Sequence, residues 1–382
     1  MSATSATTAD VVIIGAGFGG LFTAQALQKK RPGLSITLIE PRSRFLFQPL
    51  LYELLSDELQ LWEVAPSNAD LFNSSGLCWL QDSVEHIDRG QHSLTTKAGR
   101  KMSWSYLVIA TGAETNDFGI PGVRDYAQGF STLADVQRLR LWVKDQRQQR
   151  SSEAAIAIVG AGPTGVELAC KLADLLDGAA RVHLIEAGDG ILPSASAFNR
   201  ERAEAALQQR DIVLHLNSSV AALHSDHVHL HGQAKIKHNG VIWTAGSRPK
   251  WPKIAPAPDQ ERGRLAINSD LRLKGCTDVF ALGDAAICKD NPWPATAQVA
   301  MQQGSAVAEA IPALMQATEP DPFAFNNLGE MLSLGIGNAT VTGMGLTLAG
   351  PLAFKLRRAT YLARLPGLSL GLRSAGAWLL PR

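Results

Sequence analysis

Two stretches of this chain have the residue types needed to hold phosphate. Gly15-Ala16-Gly17-Phe18-Gly19-Gly20 follows the apolar run Val11-Val12-Ile13-Ile14, and Gly160-Ala161-Gly162-Pro163-Thr164-Gly165 follows Ile156-Ala157-Ile158-Val159. In each, the first glycine (Gly15, Gly160) permits a tight turn. The second (Gly17, Gly162) lets backbone approach a pyrophosphate, and the third (Gly20, Gly165) lets the next helix pack closely on its strand, with the phosphate on the helix N-terminus. One such loop is a weak signal, because a glycine-rich helix start looks the same. Here both loops are followed, about twenty residues on, by a strand ending in an acid, Glu40 after Ile36-Thr37-Leu38-Ile39 and Glu186 after Arg181-Val182-His183-Leu184-Ile185. A carboxylate there accepts hydrogen bonds from a ribose, so two dinucleotides are implied.

The elements that must position these residues can be read around them. Short alternating strands fill Val84 to Lys101, and the strand Tyr106-Leu107-Val108-Ile109 ends in Ala110-Thr111-Gly112, small residues that let backbone approach a nucleotide. The chain leaves this first domain near Ile120-Pro121-Gly122, crosses a polar helix from Thr132 to Arg150 and enters the second unit at Ala154. Val241-Ile242-Trp243-Thr244-Ala245-Gly246 repeats the small-residue strand end, which marks an internal repeat with one dinucleotide per copy. Asp278-Val279-Phe280-Ala281-Leu282-Gly283-Asp284 then returns to the first domain, with a helix from Thr296 to Ile311. The stretch Phe45 to Glu53 is apolar and aromatic, and on composition it reads as core.

Composition bounds the rest. A chain of 382 residues that is 46% hydrophobic and 19% charged is an ordinary multidomain protein with buried cores. A net charge of +1 without a long basic run argues against a nucleic-acid binder. Cys78, Cys170, Cys276 and Cys288 have no CxxC or metal spacing and read as reduced packing thiols of a cytosolic-type compartment. His227, His229 and His231 alternate with Val228 and Leu230, which reads as the wet side of a hairpin, and no metal is expected.

In their order, the two phosphate loops, the Ala-Thr-Gly and Thr-Ala-Gly strand ends and the Gly-Asp motif resemble the two-dinucleotide-binding flavoprotein reductases. That resemblance implies an α/β fold with two Rossmann-like dinucleotide-binding domains. FAD is then expected on the first loop with Ala110, Thr111, Gly112 and Gly283, the carboxylate of Asp284 bonding the ribityl chain. NAD(P)H is expected as co-substrate on the second loop, with Gly246. Ala297-Gln298-Val299-Ala300-Met301-Gln302 further resembles the AQxAxQ segment of type II NAD(P)H:quinone dehydrogenases, where two glutamines lie beside the flavin and face the quinone. Gln298 and Gln302 take that role by resemblance, and Glu167 matches a family glutamate near the nicotinamide. Read without the family, the glutamines are one polar helix face and Glu167 is an acid favoured by the helix dipole. The runs Arg44 to Leu54 and Leu328 to Gly335 are similar to the cyanobacterial and plastid branch, which reduces demethylphylloquinone-type naphthoquinones in phylloquinone (vitamin K1) biosynthesis. The alternatives are a respiratory-type NADH dehydrogenase using plastoquinone or ubiquinone, and a soluble reductase of an iron–sulfur protein.

Glu186 would repel a 2′-phosphate, which favours NADH, whereas the naphthoquinone branch is associated with NADPH; the donor stays NAD(P)H. From Met331 to Phe354 the chain has no charge but is interrupted by glycine, threonine and proline, which fits a β-hairpin better than a spanning helix. Beyond it Lys355, Arg357, Arg358, Arg364, Arg373 and Arg382 mix with apolar residues as in a segment lying on an anionic membrane surface. A dimer interface or a cover over the core is the competing reading of this tail, so a homodimer stays open. The expected organisation is a disordered lead at 1–9, an FAD domain at 10–125 and 255–325, an NAD(P)H domain at 126–254 and a C-terminal membrane-association region at 326–382. The protein is expected to be a peripheral membrane enzyme on the cytoplasmic or thylakoid/stromal side.

Overall fold

A computed structural model describes residues 7–73, 76–151, 153–232 and 234–379. The chain forms two compact units, one from Met1–Leu46, Ala65–Glu114 and Arg248–Asn326, the other from Phe47–Val64, Thr115–Ser247 and Asn327–Arg382.

In the first unit the strand Thr7–Ile14 lies between two parallel neighbours, Ile36–Ile39 and Lys101–Ile109. Val11, Val12, Ile13 and Ile14 are all buried, as an unbroken apolar run is on a central strand covered on both faces. Val279–Ala281 adds a parallel strand beside Lys101–Ile109, and Val84–Asp88 with Ser93–Thr96 supplies the expected antiparallel hairpin. The disordered lead expected over 1–9 is corrected at its end: Thr7, Thr8 and Ala9 pair with Met102, Ser103 and Trp104. The ladder needs only backbone groups there, and the Thr8 and Ser103 hydroxyls meet at 3.0 Å. Residues 1–6 lie outside the described residues.

The second unit is built on a five-stranded parallel sheet in the order Val213–His215, Arg181–Ile185, Ala155–Val159, Gly240–Trp243, Ala127–Gln128. A three-stranded antiparallel sheet packs on it through Val220, Leu223, Val228, Leu230 and Ile236, against Ala157, Val159, Ile185 and Trp243. His227 and His229 are half-buried on the other face of Val228 and Leu230, and His231 is exposed. In the segment Phe47–Val64, Phe47, Leu50, Leu51 and Tyr52 are buried, as the apolar composition suggests, and so, against it, is Glu53.

The uncharged stretch near the C-terminus forms three antiparallel strands, Glu330–Ser333, Ala339–Gly343 and Leu346–Gly350, one more than a hairpin. Helices Pro351–Ala363 and Leu368–Leu379 follow. The basic residues of the tail do not all face outward. Arg357 is completely buried, because Phe354, Arg357 and Tyr361 share the inward face of their helix. Arg382 lies outside the described residues. No described helix is long and apolar enough to cross a membrane.

Candidate functional site

The first phosphate loop has the geometry its glycines suggest. Gly15 sits at φ +96°, and a Cβ there would lie 2.5 Å from the Ala110 carbonyl oxygen; one on Gly20 would lie 1.9 Å from the Gly15 carbonyl oxygen. Loop, strand end and helix are therefore in backbone contact. A Cβ on Gly17, the N-cap of the helix Phe18–Lys30, would meet nothing, which leaves its N-terminus open to an approaching phosphate. Ala110 N–H donates to the Ile14 carbonyl at 2.8 Å, and the Thr111 hydroxyl donates to the Lys250 carbonyl. These features fit an FAD pyrophosphate.

Glu40 is more committed than its position in the sequence suggests. Its Oε1 accepts Arg42 N–H (3.0 Å) and Nε (2.7 Å), while Oε2 accepts Ala16 N–H (2.8 Å) and Arg42 Nη2 (2.9 Å). Burial works to raise its pKa, but Arg42 and the backbone donors outweigh it and hold the carboxyl below its ordinary value. Arg42 and the backbone thus occupy both oxygens of this carboxylate.

Gly283-Asp284 follows the strand Val279–Ala281. Burial pushes the Asp284 carboxyl up, with Arg264 opposing. Gly283 N–H donates to Gln303 Oε1 at 2.8 Å, so this buried glutamine fixes the turn that presents Asp284. Gln303 is a residue the sequence reading passed over in favour of its neighbours. Gln302 exchanges both amide ends with the Asn326 backbone, donating at 2.8 Å and accepting at 3.0 Å. Gln298 is half-buried one turn earlier on the same helix, Ala297–Met315.

In the second unit Gly165 would place a Cβ 1.8 Å from the Gly160 carbonyl oxygen, and Gly160 would place one 2.9 Å from Ala245. Thr244 closes the arrangement, its hydroxyl 2.8 Å from the Val159 carbonyl and 3.0 Å from that of Gly160. Gly162 is the N-cap of the helix Pro163–Leu176. Glu186 accepts Ala161 N–H on Oε2 (2.7 Å) and Gly188 N–H on Oε1 (2.9 Å). Each oxygen thus keeps a lone pair for a hydroxyl, unlike Glu40.

Glu167, expected beside nicotinamide, faces a buried cluster. Its Oε1 accepts Ser333 N–H at 2.6 Å and lies 3.6 Å from Arg357 Nη2. The Tyr52 hydroxyl donates to it as well. Arg357 pairs with Glu53, donates to the Pro49 carbonyl at 2.8 Å and stacks over Tyr361 at 4.8 Å. Two acids thus share one guanidinium. Burial raises Glu167 to about 7, with Arg357 and Ser333 opposing. Further along the same helix Lys171 pairs with Glu58, and Asp174 accepts Ile336 N–H at 2.7 Å. Glu53 and Arg357 were missed in the sequence: Glu53 stands alone in an apolar run, but Arg357 sits between Lys355 and Arg358 and reads there as one more surface cation.

The family model of pyridine nucleotide-disulphide oxidoreductases matches residues 9–304. The chain is similar to demethylphylloquinone reductase NdbB of Synechocystis sp., 37% identical with 97% of each chain covered. It is also similar to the alternative NAD(P)H-ubiquinone oxidoreductase C1 of Arabidopsis thaliana, 34% identical over 93% of this chain and 78% of the relative. Its fold matches that of Plasmodium falciparum NDH2 in complex with NADH, with a TM-score of 0.86, 19% identity and 95% and 96% of the two chains covered. By its paired phosphate loops and these likenesses, the chain belongs to the type II NADH:quinone oxidoreductases, FAD-containing enzymes that use NAD(P)H, within the pyridine nucleotide-disulphide oxidoreductase family.

Proposed function

We propose that this NAD(P)H:quinone oxidoreductase reduces a naphthoquinone of the demethylphylloquinone type at a membrane surface. The observation that carries the substrate is the 37% identity, over 97% of the chain, to a demethylphylloquinone reductase. In this reading the first loop, Ala110 to Gly112, Gly283 and Asp284 hold FAD, and Gly160, Gly162, Gly165, Glu186 and Gly246 hold the donor. The flavin, when bound, supplies hydride acceptance and two-electron transfer, chemistry that no side chain offers.

The protein's own residues do the rest. Glu186 offers its free lone pairs to the donor's ribose and so governs the choice between NADH and NADPH. Reduction of a quinone by NAD(P)H takes up one proton, and Glu167, titrating near 7, is the group assigned to hold it. Its bonds to Ser333 and Tyr52 fix where that proton sits. Gln298 and Gln302 face the quinone in this reading, Gln302 after release of Asn326.

Exposed Met344, Leu346 and Leu352, with the exposed Lys355, support docking on an anionic bilayer where a lipid-soluble quinone resides. Flotation with anionic vesicles tests this: Met344→Glu with Leu352→Glu is expected to abolish it, and unchanged flotation would refute it. The substrate reading is tested by anaerobic reduction with NADH and NADPH in parallel, followed by mixing with naphthoquinone and benzoquinone acceptors. Faster reoxidation by the naphthoquinone is expected. A preference for the benzoquinone would instead favour a respiratory-type dehydrogenase.

A further inference from the structure

Beside the second phosphate loop, the segment Asn116-Asp117-Phe118-Gly119 holds an aromatic ring in the open. Phe118 is 60% exposed and has φ +51°, a left-handed conformation uncommon for a large side chain. The loop is firmly built. Phe118 N–H donates to Asn116 Oδ1 and Gly119 N–H to Asp117 Oδ1, both at 3.0 Å. Asp117 also pairs with Arg124. The Asn116 carbonyl accepts the buried Trp243 indole N–H at 2.8 Å, and Asn116 N–H donates to the Gly246 carbonyl at 3.3 Å. The backbone that carries the ring is therefore tied down on both sides. It abuts Gly246, where a Cβ would lie 2.9 Å from Phe118 Cζ.

That location has a direction. In the parallel sheet, Arg181–Ile185 with Glu186 lies on one side of Ala155–Val159, and Gly240–Trp243 with Thr244, Ala245 and Gly246 lies on the other. A dinucleotide with its adenosine ribose at Glu186 and its pyrophosphate at Gly160 to Gly165 runs onward across the strand ends to Gly246. Its nicotinamide half then arrives at Phe118. An apolar ring left in water beside a polar strand end, on a loop strained into place, has the properties of a surface waiting for a flat partner.

We propose that Phe118 is a positioning residue for the nicotinamide half of the donor, packing its ring against the nicotinamide or its ribose and excluding water there. The proposal rests on the reading that the second loop holds NAD(P)H. It assigns Phe118 no contact with the adenosine half.

Calorimetric titration of the FAD-loaded protein with NAD+ and with ADP-ribose, which lacks nicotinamide, separates the two ideas. Phe118→Ala is expected to weaken NAD+ by about 3- to 10-fold, the worth of one aromatic contact, and to leave ADP-ribose within about twofold. Phe118→Tyr, which keeps the ring, is expected to restore NAD+ binding. Equal loss of both ligands, or loss of neither, overturns the proposal alone. ADP-ribose affinity that is unmoved by Glu186→Ala overturns the donor-site reading, and the proposal with it.

Discussion

Arg357 and Glu53 form an ion pair from which water is fully excluded, neither side chain keeping any accessible surface. Glu53 Oε2 and Arg357 Nε have no hydrogen-bond partner among the described residues, so the pair is incompletely satisfied. Removing the cation leaves two buried acids facing each other. Arg357→Met is expected to destabilise the second unit by about 3–5 kcal/mol, whereas adding Glu53→Gln to it recovers part of that loss. Urea unfolding of the single and double variants measures both, and strictly additive losses would show that the pair is not coupled.

Glu167 should leave a signature in the pH dependence of stability. Its folded value near 7 lies above the ordinary carboxyl value, so the native state keeps a proton that the unfolded chain has released. The resulting stabilisation is fully present below the unfolded value and is lost as pH rises through the folded one. Wild-type stability is expected to fall by on the order of 2–3 kcal/mol between about pH 4.5 and 7 from this group, and Glu167→Gln to flatten that slope. Unfolding curves at several pH values give the answer, and parallel slopes in the two proteins would count against a raised Glu167.

Donor choice is expected to follow Glu186. Glu186→Gln keeps an acceptor for Ala161 N–H but removes the charge that opposes a 2′-phosphate. The ratio of kcat/KM for NADPH to that for NADH should rise by about tenfold, equivalent to about 1.4 kcal/mol. An unchanged ratio would remove Glu186 from the donor site.

Gly17 and Gly20 separate folding from flavin retention. A Cβ on Gly17 meets no protein atom, so FAD-free Gly17→Ala should melt within about 2 °C of FAD-free wild type yet bind FAD more weakly, because the methyl occupies the phosphate's approach. Gly20→Ala puts a methyl 1.9 Å from the Gly15 carbonyl oxygen and should lower both melting temperature and flavin content. Absorbance at flavin wavelengths after reconstitution reports the difference. A Gly17→Ala protein that retains flavin as wild type does would take this loop out of the FAD site.

The central strands and the loops behind them were legible because the same pattern, an apolar run, a glycine triad and a second strand ending in an acid, occurs twice in the chain. The place of Glu186 at the end of its strand was legible for the same local reason. Glu53 and Arg357 were not, because a buried ion pair joins residues that are far apart in sequence, and each alone looks like a surface charge on its own element. The tail showed the limit of counting charges, since helical periodicity turns Arg357 inward while Lys355 stays exposed. Gln303 was hidden by its neighbour: of two adjacent amides, only the backbone of Gly283 distinguishes the one that fixes the Gly-Asp turn.

The helix Pro163–Leu176 starts at a phosphate loop, and its Glu167, Lys171 and Asp174 hook Ser333, Glu58 and Ile336 in turn. Those hooks depend on rotational phase. Inserting a single residue after Gly165 would swing everything downstream by about 100° and unhook all three segments together, so the length of this rod is as fixed as any residue within it. The exposed turn at Met344 and Gly345 has no such phase to keep and is the place where natural or engineered length variation should be tolerated.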